Sequence, residues 1–173
     1  MPTPSQIPPF VNYVAGRLLT VDDYQAEQAY LRAKLRQHNR MLHQPGIVEG
    51  LTVTVTVSTV QVSSGVALDA AGNAICVPTA QTVPLPKTSA DVYVILRYAE
   101  VGIDPIPVLD APGSPTRLPS RIQEGFAFGY EPVGTAPPVP SPEDLIPPVR
   151  LAQLVYVRGR WRLDPTFHRA QAR

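Results

Sequence analysis

One cysteine, Cys76, is all the thiol chemistry available to this chain of 173 residues. That excludes an intramolecular disulfide framework and any zinc site built from several cysteines. Charge is scarce as well: 17% of residues are charged and the formal net charge is +1. No overall field draws such a protein onto nucleic acid or an anionic membrane. Aromatic residues make up 7%. No apolar run is long enough to span a bilayer. Met1-Pro2-Thr3-Pro4-Ser5 lacks the basic start and apolar stretch of a secretory signal, so synthesis in the cytoplasm is expected. What the chain does have is 44% hydrophobic residues, enough for one sizeable core, and 21 prolines. That is about 12% proline against a usual value near 5%.

Motifs for chemistry are missing too. No HExxH, CxxC or EF-hand spacing occurs, nor a GxSxG elbow, a GxxxxGK[ST] loop or a GxGxxG turn. His38 and His43 stand five apart, about 140° round a regular helix, which does not let them grip one metal ion. Cys76 lies in the apolar stretch Ala74-Ile75-Cys76-Val77 and is expected to be a buried, inert thiol. Arg158-Gly159-Arg160-Trp161-Arg162 is the most basic cluster. Read as a hairpin, it puts Arg160 and Arg162 on one face and Trp161 on the other, which is ordinary strand patterning. The expectation is a protein without catalytic, metal or cofactor sites, not an enzyme, with no nucleic-acid partner.

The chain divides by composition. Residues 1–16 hold Pro2, Pro4, Pro8 and Pro9 and read as an extended arm anchored by Phe10, Val11, Tyr13 and Val14. Residues 17–46 are a helix and its exit turn, with the helix of about 22 residues over Val21–Leu42. Thr20 is its N-cap, Thr20-x-x-Asp23 a capping box, and Leu19 with Tyr24 a hydrophobic staple. Early acids and late bases suit the helix dipole, and Pro45-Gly46 stops it. Tyr24, Gln28, Leu31, Leu35, His38 and Leu42 form a seam at 4-3-4-3-4 spacing, beside a second stripe of Ala26, Tyr30, Ala33, Gln37 and Met41. The expectation is that the helix lies on its own sheet by one stripe. The second stripe is then left for a neighbouring subunit, with Tyr30, Ala33 and Met41 as interface candidates beside Phe10, Val11, Tyr13 and Val14.

Residues 47–166 read as the β domain, followed by a tail, 167–173. Leu51, Val53, Val55 and Val57 alternate with threonines as a half-buried strand. Further strands are expected near Thr59–Ser63, Val66–Asp69, Ala74–Val77, Val92–Val101, Arg121–Tyr130, Leu151–Val157 and Arg160–Leu163, with Asp69-Ala70-Ala71-Gly72-Asn73 as a turn. Two proline-rich segments, 102–120 and 132–148, read as long stiff loops. The fold class is mainly β: one N-terminal helix plus a β-sandwich or barrel of seven to eight strands with long proline-rich loops.

One string is more specific: Glu27-Gln28-x-Tyr30, then His38-Asn39-Arg40-x-Leu42-His43-x-Pro45-Gly46-Ile47-Val48-x-Gly50-Leu51-x-Val53. It continues as Gly65-x-Ala67-Leu68-Asp69-x-x-Gly72-x-x-Ile75-x-Val77, Leu96-Arg97-Tyr98-x-Glu100, Arg121-Ile122-x-Glu124 and Leu151-Ala152. Over residues 17–157 this resembles a family of small β-rich proteins from contractile phage tails and phage-tail-like contractile injection systems. They share an HNRxLHG-like turn followed by a GVVxGLxV-like strand. Gln44 stands where that turn has glycine. The resemblance implies a non-enzymatic structural subunit of an injection particle, at the baseplate or associated with a fibre or spike. Its implied partners are copies of itself, as a trimer or hexamer, and other tail or baseplate proteins. His38, Asn39, Arg40 and His43 are expected to bond the free carbonyls at the helix end, and Gly46 and Gly50 to turn the chain into the sheet. The alternative is a carbohydrate- or surface-binding module, using Tyr98, Phe126, Phe128, Tyr130 or Trp161 as stacking platforms.

Overall fold

The structure, a computed structural model, describes residues 7–109, 115–134 and 146–172. Parts of three expected segments lie outside these residues: the first six of the arm, the tip of the 102–120 segment, and most of the 132–148 segment. Arg173 lies outside them too. The helix α1 runs Val21–Leu42. Ten strands follow among the described residues: β1 (Gly46–Gly50), β2 (Val53–Val55), β3 (Thr59–Val62), β4 (Gly65–Leu68), β5 (Ala74–Val77), β6 (Gln81–Pro84), β7 (Val92–Leu109), β8 (Pro115–Pro132), β9 (Val149–Val157) and β10 (Arg160–Leu163). The mainly β class with one helix therefore holds, with more strands than the seven or eight expected.

All pairings between these strands are antiparallel, and they form three sheets: β1-β4-β5, β2-β3-β6 and β10-β9-β7-β8. One apolar core joins them. Ile47, Leu51, Ile75, Val60, Val62, Val94, Leu96, Leu151 and Leu154 interdigitate at its centre, and each is buried. This core, drawn from every sheet, supplies the burial that short strands cannot find alone.

Three expectations are corrected here. The first strand does not run through Leu51–Val57. Gly50 and Leu51 both take positive φ, 63° and 52°, and break it into β1 and β2. Thr56 Oγ1 then accepts from the Ser58 and Thr59 N–H groups in a tight turn, which leaves Val57 94% exposed at the tip. Cys76 is exposed: β5 alternates, with Ile75 and Val77 inward, so Ala74 and Cys76 face out.

The third correction concerns 102–120. Most of it is a two-stranded ribbon in which Val101–Leu109 pairs with Pro115–Gln123, through pairs such as Ile106↔Leu118 and Pro107↔Arg117. Pro105, Pro107, Pro115 and Pro119 all fall on the same alternation of this ladder. One set of outward-pointing positions therefore takes every missing N–H, the arrangement in which proline is compatible with a strand.

The C-terminal tail acts as a strap. The Ile47 N–H donates to Ala170 O at 2.8 Å, and the Ala172 N–H donates to Ile47 O at 2.9 Å. Phe167 meets Tyr93 at 5.6 Å between ring centroids. The open edge of β1 is thereby covered.

Candidate interaction surface

α1 is built as its sequence predicts at the N-terminus. Thr20 Oγ1 accepts from the Asp23 N–H, and the Asp23 carboxylate accepts from the Thr20 N–H at 2.9 Å, closing the capping box. Arg17 pairs with the same carboxylate. The Thr20 backbone and hydroxyl donors hold the Asp23 carboxyl below its ordinary value, with the Arg17 charge adding to them.

The other end is docked on the β domain by polar and backbone contacts. Asp69, buried, organises the β4–β5 turn: its Oδ1 accepts from the Ala71 and Asn73 N–H groups at 2.9 and 2.8 Å, and its Oδ2 from Asn73 Nδ2 at 2.8 Å. The turn presents Gly72 at φ 88° directly beneath the helix, where a Cβ would lie 2.3 Å from Arg36 O. Only glycine permits that approach together with that φ. Asn39 Nδ2 donates to Gly72 O at 2.9 Å. Further along, Arg32 Nη1 donates to Glu100 Oε1 at 3.1 Å, Arg36 lies 3.8 Å from the same oxygen, and Tyr98 OH donates to it at 2.9 Å. Glu100 sits directly opposite Glu124 in the ladder. Like charges so placed repel, and the two arginines offset that repulsion. Burial, with the two carboxylates beside it, pushes the Tyr98 hydroxyl well above its usual range.

The packing of α1 reverses the expected use of its stripes. No helix residue is fully buried. The half-buried positions include Ala26, Tyr30, Ala33 and Gln37, the stripe assigned to a neighbour, which faces this chain's own arm and β domain. The 4-3 seam points outward: Tyr24, Leu31, Leu35 and Leu42 are each between 57% and 64% exposed, and Gln28 and His38 are exposed too. Ala33 and Gln37 stand next to the close approach of Gly72 to Arg36, and Tyr30 packs on Phe10 of the arm.

The interface candidates divide accordingly. Phe10 stacks on Tyr30 with centroids 5.0 Å apart, and the Val11 N–H donates to Glu27 Oε2 at 3.3 Å, so the arm folds back on its own helix. Val11 is buried, Tyr30 and Ala33 are half-buried, and Phe10, Tyr13, Val14 and Met41 remain exposed. Val21 and Leu18, which the sequence did not single out, are also exposed. Exposed aliphatics also lie on the ribbon, Ile106, Leu118 and Ile122 on one alternation of the ladder and Val101 on the other.

The helix-exit residues work differently from the expectation. Among the described residues, none of the His38, Asn39, Arg40 and His43 side chains bonds a carbonyl of the last turn; Asn39 is used on Gly72 instead. His43 leaves in an extended conformation, and its backbone N–H donates to Asn39 O at 2.9 Å. That exit brings its ring to 6.0 Å from His38, edge to face, where a continued helix would have held them apart. Gly50 turns between β1 and β2, and Gly46 opens β1 against the tail.

The aromatics of the alternative reading are tied into the core. Tyr98, Phe126, Phe128, Tyr130 and Trp161 all pack against it, and Tyr130 OH donates to Pro84 O at 2.7 Å. Trp161 lies across from Tyr156, with Arg160 and Arg162 exposed on the other face. Among the described residues no three His, Cys, Asp or Glu side chains converge on a point that could hold a metal ion. No helix among them is long and apolar enough to cross a membrane.

The same fold occurs in baseplate chains of the type VI secretion system. A crystal structure of TssK matches over 94% of this chain with a TM-score of 0.60. A chain of the TssK-TssF-TssG baseplate subcomplex matches over 92% with a TM-score of 0.57, and one of the type VI baseplate complex over 92% with 0.53. Identity is 13% in all three, so the likeness is one of fold. This chain spans 44%, 61% and 58% of those three chains, respectively. No protein-family model and no curated protein matches the sequence.

Proposed function

We propose that this protein is a non-enzymatic structural subunit of a phage-tail-like contractile injection particle, placed at its baseplate. The observation that carries this reading is the fold shared with type VI baseplate chains over nearly the whole of this chain. The string from His38 to Val53, which resembles small proteins of contractile tail systems, supports it from the sequence side. So does the distribution of apolar surface. The outward α1 seam and the ribbon carry exposed large aliphatics of the kind assembled particles cover. Its partners are then copies of itself and other baseplate proteins. The aromatics named for the carbohydrate-binding alternative are half-buried against the core, which favours the structural reading.

Immunogold labelling of purified contractile particles from the source cells tests this. Label at the baseplate end, together with loss of assembled particles when the gene is deleted, is the expected result. Particles that assemble normally without the chain would overturn the proposal.

A further inference from the structure

The outward face of α1 has a regularity that its packing on the β domain does not explain. With Val21 added, the exposed residues run Val21, Tyr24, Gln28, Leu31, Leu35, His38 and Leu42, spaced 3-4-3-4-3-4 over three heptads. Five of the seven are apolar. This is the a/d pattern of a coiled-coil seam, with Val21, Gln28, Leu35 and Leu42 at a and Tyr24, Leu31 and His38 at d. Most half-buried positions lie away from the seam, Asp23, Tyr30 and Gln37 at c, Ala26 and Ala33 at f and Arg36 at b, while Glu27 at g and Asn39 at e flank it. A partner helix can therefore seat on the seam while the β domain stays where it is.

We infer that the occupant of this seam is α1 of a second copy of the chain, running parallel and in register. Period and charge both point there. In a parallel pair the g position of one helix faces the e position of the next heptad on the other, which brings Glu27 against Arg32 of the partner copy. The Arg32 side chain is 46% exposed even while it bonds Glu100, so it can reach outward. Of the two antiparallel registers that keep a against d, one sets Lys34 against Lys34 and Arg32 against Arg32, two like-charge contacts. The other brings Glu27 to Lys34 but buries Gln28 against Leu31 and His38 against Val21. In-register stacking also places Gln28 beside Gln28 and His38 beside His38. Each polar layer then meets its own kind, and a shift of one heptad would bury it against leucine or valine. Gln28 and His38 thus set the register at some expense in stability. This inference sharpens the self-association in the proposed function, but its test uses the purified chain and does not need the particle.

The test is light scattering across a concentration series on the full chain and on Leu35→Glu. Leu35 is exposed, so the variant keeps its fold, checked by circular dichroism. The wild type is expected as a defined oligomer. Leu35→Glu is expected to weaken association roughly a hundredfold and to run as a monomer, because a buried unpaired carboxylate is strongly disfavoured. For orientation, Leu42→Cys in a Cys76→Ser background is expected to form a disulfide with itself on oxidation. A wild-type monomer at every concentration overturns the inference, as does an oligomer indifferent to Leu35→Glu. A disulfide between Tyr24→Cys and Leu42→Cys chains, in place of the Leu42 homodimer, overturns the parallel arrangement. Particles that lack the protein would sink the functional proposal and leave these outcomes unaffected.

Discussion

α1 and the first half of β7 are both rich in large aliphatic residues, and the fold treats them in opposite ways. Val92, Val94, Ile95 and Leu96 are buried between sheets, with β8 on one edge and β9 on the other. Leu31, Leu35 and Leu42 stand in solvent while Tyr30, alanines and polar residues of the same helix take the inward positions. The difference lies in what each element must approach. A sheet interior offers room for side chains at about 10 Å between layers. The β4–β5 turn instead comes so near to α1 that Gly72 meets Arg36 O, and the helix is held there by backbone and polar contacts. Hydrophobicity alone does not assign the buried face of a helix whose own domain has a core without it.

The comparison can be broken most forcefully at its two ends. Leu96→Ala should destabilise the protein by about 2–5 kcal/mol through the cavity it leaves. Leu31→Ala, on the outward face, should shift the dilute protein by no more than about 0.5 kcal/mol. Equal losses in denaturant unfolding would mean that α1 contributes to the monomer's core after all.

Asp69→Ala removes an acceptor for three donors in a buried turn. It should cost about 2–3 kcal/mol and raise amide exchange at Asn73; unchanged exchange would show that the turn does not depend on the carboxylate. Gly72→Ala separates the two regions. A methyl 2.3 Å from Arg36 O forces the helix off the sheet, so exchange in residues 36–42 should rise while the β core stays protected. The expected loss is about 1–3 kcal/mol from strain at a positive φ, and a variant with α1 still protected would refute the close-approach argument.

The smallest effect concerns the free end of α1. Thr20→Ala should cost about 1 kcal/mol of helix stability, read as lost helical ellipticity. The Asp23 carboxyl lies below its ordinary value of 3.8 in the fold. Its contribution is therefore complete above that value and lost as pH falls through the folded one. Helical signal should drop at the acid end of a titration, and Asp23→Asn should flatten that drop. A drop that survives in the variant would place its cause elsewhere.

Much of the architecture was readable residue by residue. The capping box, the helix bounds Val21–Leu42 and the alternation of the closing hairpin are local, set by neighbours within a few positions. Where the reading failed, the deciding partner was distant in sequence. The ribbon was hidden because prolines suggest loops, yet Pro105, Pro107, Pro115 and Pro119 share one parity, a signal that becomes visible once the two segments are paired. Cys76 faces outward because it alternates with Ile75 and Val77, which point into the core.

The sequence by itself determined the helix, its caps, the existence of a period-matched seam and the mainly β class, because each depends on spacing along the chain. Tertiary structure alone decided which stripe of α1 faces inward, that Asn39 serves Gly72 in place of a helix carbonyl, and that the arm returns to Tyr30. These choices hang on separations of backbone and side chain across 20 to 33 residues, and no local pattern encodes such a distance.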